Sequence, residues 1–163
     1  MTAVTEHEIS LVPATDHSPT IISLNANDFP VPTGREEQWR FTPLKRLAGL
    51  HEAATPAGQA IQVSVTGANG FVVDTASKSD RAGFTDRVSA VAWSQTESVV
   101  QVTVPKNAEL AEPALVTITG LDGYQYGQVD IKAESFSKSV VIINHVGAGN
   151  NAINVDIHAG DGA

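Results

Sequence analysis

Five histidines, eighteen acids and not one cysteine are what this chain of 163 residues offers for chemistry. Without cysteine, the chain alone cannot build a thiolate-bound metal or cluster site. His7, His17, His51, His145 and His158 show no His-x-x-x-His spacing, so each reads as a solvated or internally satisfied side chain. Glu36 and Glu37 are neighbours in sequence, and a capping role already accounts for Glu36. Asp130 and Asp156 form the one pair of acids that a repeat could bring together. No serine lies in a Gly-x-Ser-x-Gly turn. Gly147-Ala148-Gly149 lacks both a third glycine and a strand-to-helix setting, so it reads as a turn and not a nucleotide loop. Ala159-Gly160-Asp161-Gly162 faintly resembles a calcium-binding glycine repeat, but the repeat in this chain is far longer than such motifs use. No catalytic, cofactor-binding or metal-ligating residue is assigned.

The elements that would have to position any such residue fall into three stretches. Residues 1–32, interrupted by Pro13, Pro19, Pro30 and Pro32, read as an extended or disordered arm. Residues 33–97 read as a small α+β region. Thr33 with Glu36 fits a capping box, the hydroxyl serving an early amide and the carboxylate reaching back. Thr42-Pro43 fits a second helix start, after which Leu44, Leu47 and Leu50 form a narrow apolar stripe. Trp39 and Phe41 are expected to anchor this helical part to the body, since large aromatics mostly bury. Val63 and Val65, the turn Gly67-Ala68-Asn69-Gly70 and Phe71-Val72-Val73 read as a hairpin. Residues 74–85 read as a polar loop, and Asp86 to Trp93 as a helix.

Residues 98–163 are periodic. Val129-Asp130-Ile131-Lys132-Ala133 recurs as Val155-Asp156-Ile157-His158-Ala159, a displacement of 26 residues. The same displacement carries Leu115-Val116-Thr117 onto Val141-Ile142-Ile143, and half of it carries Gly147-Ala148-Gly149 onto Gly160-Asp161-Gly162. Strands are expected at Val99–Val104, Ala114–Thr119, Val129–Ala133, Val140–Ile143 and Ile153–Ala159, stacked in parallel as a flattened β-helix. Val129, Ile131, Val155 and Ile157 would face inward. Asp156 would then lie beside Asp130, and His158 beside Lys132, a like-charge arrangement suited to a solvated face. An antiparallel sandwich is the alternative, although it does not require a fixed register.

Composition narrows the function classes. A net charge of −8 with no basic cluster argues against nucleic acid or an anionic membrane as partner. The start, Met1 to Thr5, carries no basic region or long apolar run, so no signal peptide or transmembrane helix is expected and the cytosol is the expected compartment.

Glu36-Glu37-Gln38-Trp39-Arg40-Phe41-Thr42, with Thr33-Gly34-Arg35 before it and Pro43-Leu44 after it, resembles the opening signature of the SufB/SufD family of iron-sulfur cluster assembly proteins, on its SufD side. Val102-Thr103-Val104-Pro105-Lys106-Asn107-Ala108-Glu109-Leu110-Ala111-Glu112-Pro113 is similar to that family's lead into its β-helix, and the repeats fit as well. The resemblance runs from about Arg35 to the end. It implies an N-terminal helical or α+β part leading into a right-handed parallel β-helix, here an N-terminal fragment truncated among the repeats. It also implies a bacterial, non-catalytic scaffold subunit of a SufBCD complex, partnered by SufB and the ATPase SufC. This part alone would hold no cofactor, the iron-sulfur cluster being handled by the intact complex. A truncated coil would pair with a second copy as a homodimer through its last strands, or fray after about Gly147. A carbohydrate-acting β-helix enzyme using Asp130 and Asp156, and a generic β-rich binding or adhesion module, are the alternatives.

Overall fold

The computed structural model describes residues 20–52, 60–78 and 81–163. His7 and His17 lie outside them. Seven strands form among these residues: β1 (Gln62–Thr66), β2 (Val72–Ser77), β3 (Ser98–Val104), β4 (Ala114–Gly120), β5 (Tyr124–Ala133), β6 (Val141–Gly147) and β7 (Asn150–Ala159). The one α-helix among the described residues, α1, spans Arg87–Gln95. The protein is therefore mainly β.

The strands make two sheets, of order β1-β4-β6 and β2-β3-β5-β7. From β3 onward, successive strands alternate between the sheets and every pairing is parallel. Val129 lies opposite Val155, Asp130 opposite Asp156 and Lys132 opposite His158, as the 26-residue repeat requires. The displacement is not constant, however. Val100 pairs with Val129, and Ala114 with Val141. Leu115 thus meets Ile142 and not Val141. The reason is the two-residue period of a strand: a slip by one would turn the inward row of β6 outward. Ala114, Val116 and Ile118 are buried and must stack on Val141, Ile143 and His145.

The hairpin expected from β1 and β2 does not form. β1 pairs antiparallel with β4, and β2 antiparallel with β3, so the two belong to different sheets. Gly67 and Gly70, with φ of 68° and 83°, turn the chain across from one sheet to the other. β2 also runs to Ser77, into the stretch read as a polar loop. The two glycine turns equated by half a repeat are different corners. Ala148 N–H donates to Gly120 O at 3.1 Å, whereas Gly160 N–H donates to Ala133 O at 2.8 Å, so they rest on different parts of the preceding pass.

Between the sheets, Val102, Val116, Ile118, Val129 and Ile131 form the buried core, flanked by Val63, Val65, Ile143 and Val155. Ile157, expected inside, is 69% exposed. It lies on the edge strand of its sheet, with β5 on one side and no described strand on the other.

The outer face of the larger sheet carries α1. Asp86 caps the helix by accepting the Ser89 N–H at 2.9 Å, and Thr96 closes it with a hydroxyl bond to Ala92 O at 2.8 Å. Val91 and Ala92 press on Tyr126 and Ala152, while Ala90 and Trp93 meet Phe84, Phe29 and Val99. Of the arm expected over 1–32, residues 20–32 lie against this layer. Ser23 and Phe84 exchange backbone hydrogen bonds at 3.0 and 2.9 Å, and Phe29 is buried.

The motif segment holds short 3-10 turns at Glu37–Trp39, Leu44–Leu47 and Leu50–Glu52 in place of two helices. The break is at Ala48 and Gly49, both left-handed, with φ of 47° and 89°. Pro43 precedes the second turn and makes no side-chain cap. Leu50 is buried, whereas Leu44 and Leu47 are half-buried.

Candidate functional site

Asp130 and Asp156, the acids that the repeat brings together, stand side by side on the outer face of the larger sheet. In-register neighbours share a face, so Asp74, Gln101, Asp130 and Asp156 form one row across β2, β3, β5 and β7. The next row toward α1 holds Gln128 and Asn154, both buried.

Two carboxylates on adjacent strands repel, and the structure counters this from two directions. Gln128 Nε2 donates to Asp130 Oδ1 at 2.6 Å and to Asp156 Oδ2 at 2.9 Å, bridging the pair from within the sheet. Arg81 reaches Asp156 from outside, with Nη1 to Oδ2 at 2.5 Å and Nη2 to Oδ1 at 3.4 Å. Its guanidinium lies 3.8 Å from the Phe84 ring centre and 5.3 Å from that of Trp93. A flat cation on an aromatic face is partly desolvated there, which strengthens its pairing. Lys78 covers the same indole at 5.1 Å and donates to Trp93 O at 2.8 Å. Asn154 Nδ2 donates to Ser89 O at 3.1 Å, tying β7 to the helix. Asp156 is spent on binding Arg81 and Gln128, and Asp130 on Gln128. The arrangement is a latch between the segment around residues 81–93 and the sheet.

Arg87 is a second, deeper clamp. Buried, it donates Nε to His51 O at 2.7 Å and Nη1 to Phe29 O at 2.9 Å and to Ala26 O. The carbonyls belong to two separate stretches, Ala26 with Phe29 in one short turn and His51 in another, so one side chain ties both turns to α1.

Glu36 behaves in part as expected. Its carboxylate accepts from the Thr33 N–H at 3.0 and 3.1 Å and from the Gly34 N–H at 2.9 Å. The Thr33 hydroxyl donates to the same carboxylate at 2.8 Å and serves no amide, which corrects the capping-box assignment. Backbone N–H donors and this hydroxyl favour the ionised form, lowering the Glu36 pKa from 4.5 to about 2. Glu37 points elsewhere and makes an exposed contact with Arg40 at 3.8 Å. Phe41 does not anchor the segment: it is 88% exposed, with the Arg40 guanidinium 5.5 Å from its ring centre. The turns are too short to present both aromatics inward, so only Trp39 is half-buried. It lines an open cleft of about 720 Å³ with Phe29, Pro32, Gln38 and Thr85.

The remaining sequence candidates stay apart. His51 is buried, with Nε2 3.7 Å from the Glu52 carboxylate, whereas His145 and His158 are exposed on different sheets. Among the described residues, no group of three or more His, Asp or Glu could hold a metal ion, and no helix is long and apolar enough to cross a membrane. Gly147-Ala148-Gly149 and Gly160-Asp161-Gly162 are corners after strands. Sequence reasoning missed Arg81 and Gln128. The signal was indirect: once Asp130 and Asp156 stack, a buried donor and a cation are needed nearby, but nothing local to either residue marks it.

No family model matches the chain, and no solved structure matches it. Curated relatives do. An iron-sulfur cluster assembly SufBD family protein of Mycobacterium leprae is 36% identical over 163 residues, covering 96% of this chain and 41% of that protein. Proteins of the same description from Mycobacterium bovis and Mycobacterium tuberculosis are each 37% identical over 148 residues, covering 86% of this chain and 37% of theirs. The chain thus spans about two fifths of the length of these relatives. Over nearly all of its own length, this chain is similar to proteins described as iron-sulfur cluster assembly SufBD family proteins, in line with the resemblance of Glu36–Thr42.

Proposed function

We propose that the chain is part of a non-enzymatic, SufD-type scaffold subunit that works in iron-sulfur cluster assembly. Its partners are SufB and the ATPase SufC, and its compartment is the cytoplasm. The observation that carries this reading is 36% identity across 96% of the chain to a protein named for cluster assembly. The parallel advance of β3 to β7 supports a parallel β-helix as the architecture of these strands, and the family resemblance implies a right-handed one. Such a coil is a rigid, extended surface, suited to holding partners and not to enclosing a substrate. The cluster is cargo of the assembled complex, and a chain without cysteine depends on that complex for thiolate ligands.

The test is co-purification of the tagged protein from its own cells, followed by anaerobic reconstitution of the isolated chain. An ATPase subunit recovered with the tag, and no iron or sulfide left on the chain after desalting, is the expected result. Recovery of the protein without an ATPase, or stoichiometric iron and sulfide on the chain alone, would overturn the reading.

A further inference from the structure

Asn69-Gly70 is the sole Asn-Gly pair in the sequence. Both residues are exposed, at the crossing from β1 to β2. The crossing is a four-residue turn, closed by the Phe71 N–H to Ala68 O at 3.1 Å, with Gly70 at a φ of 83° in its third position. Two features of this turn bear on its chemistry. Gly70 has no side chain to shield its amide nitrogen, and that N–H makes no hydrogen bond among the described residues. Asn69, for its part, is held by a single side-chain contact, Nδ2 to Glu112 Oε2 at 2.9 Å.

We propose that Asn69 is a site of spontaneous deamidation, with water as the only co-reactant. A base removes the Gly70 amide proton, and the nitrogen attacks Asn69 Cγ. A C–N bond forms, the Cγ–Nδ2 bond breaks, and the amide leaves as ammonia, closing a five-membered succinimide. Water then opens either carbonyl of the ring and leaves aspartate or isoaspartate at position 69. The other asparagines are followed by residues that carry a Cβ, which hinders the same ring closure.

The site makes this modification consequential. The Asn69 amide is a donor to Glu112, and the product is a carboxylate, so an attractive contact becomes a like-charge one. Isoaspartate also inserts a methylene into a turn where Gly70 lies against Leu110 and Gly67 against the Pro113 carbonyl. The tie between the sheet crossing and the connection that precedes β4 is therefore loosened with age, while the chain gains one negative charge.

The purified protein and a free peptide spanning residues 66–74 are held side by side at mildly alkaline pH. Released ammonia, the mass of the peptide containing position 69, and isoaspartyl methyl acceptance are followed in each. One equivalent of ammonia per chain, localised to position 69, is expected from the protein, and none from Asn69→Gln. The aged protein should unfold at a lower denaturant midpoint than the fresh one, with the loss diminished in Glu112→Gln. Intact Asn69 in the folded protein over a period in which the free peptide is fully converted would overturn the proposal. So would undiminished ammonia release from Asn69→Gln.

Discussion

β5 and β7 carry the same pattern, Val-Asp-Ile-x-Ala, in register with each other. Yet Ile131 is 6% exposed and Ile157 69% exposed. β5 has a parallel neighbour on both sides, whereas β7 pairs only with β5 among the described residues. A repeat therefore specifies which side of a strand faces the other sheet, and the neighbouring strands decide how much water is excluded there. The polar positions reverse the order. Asp156, on the edge strand, has both Arg81 and Gln128, while Asp130 has Gln128 alone.

The most demanding test of this contrast is one substitution made twice. Ile131→Asp places an unpaired carboxylate in the core and should cost several kcal/mol, on the order of 4. Ile157→Asp should cost about 1 kcal/mol or less. Equal shifts of the urea midpoint would break the comparison. The acids should invert it. Asp156→Ala strands Arg81 and one Gln128 bond and should cost about 1–2 kcal/mol. Asp130→Ala relieves a like-charge neighbour and should change stability by about 0.5 kcal/mol or less. A larger loss from Asp130→Ala would locate the latch on the wrong strand.

Further along both strands the difference should vanish. Lys132→Ala and His158→Ala, both exposed, should each stay within about 0.5 kcal/mol of the parent. Glu36, on neither strand and open to solvent, should give the smallest effect, and one with a defined sign. Its pKa is lowered from 4.5 to about 2, so its contribution is complete above about 4.5 and fades as the pH falls through about 2. Carbon-detected NMR titration should find its midpoint well below the ordinary glutamate value of 4.5, and Thr33→Val should raise it. A midpoint at the ordinary value of 4.5 would remove the carboxylate from its ring of amides.

The repeating half was legible because β pattern and register depend on a period of two and a recurring length, both visible in Val129–Ala133 and Val155–Ala159. The facing acids followed at once. Pairing of β1 and β2 was not legible, because a glycine turn that reverses a hairpin and one that crosses between sheets have the same residues. The motif segment was legible as a family mark but not as a structure: helix propensity says little when turns are only three or four residues long and Arg87 holds the last of them, through His51 O, from another part of the chain. The latch escaped for a similar reason. Arg81 and Gln128 act through space on residues distant in sequence, and composition alone does not couple them.

The Arg87 clamp sets an order of events during synthesis. The carbonyls of Ala26, Phe29 and His51 leave the ribosome well before the guanidinium that collects them. Docking of α1 in turn needs Tyr126 and Ala152, which are made later still. The turns at Ala26–Asp28 and Leu50–Glu52 therefore cannot complete their packing until β5 and β7 have been made and the helix has a sheet to rest on.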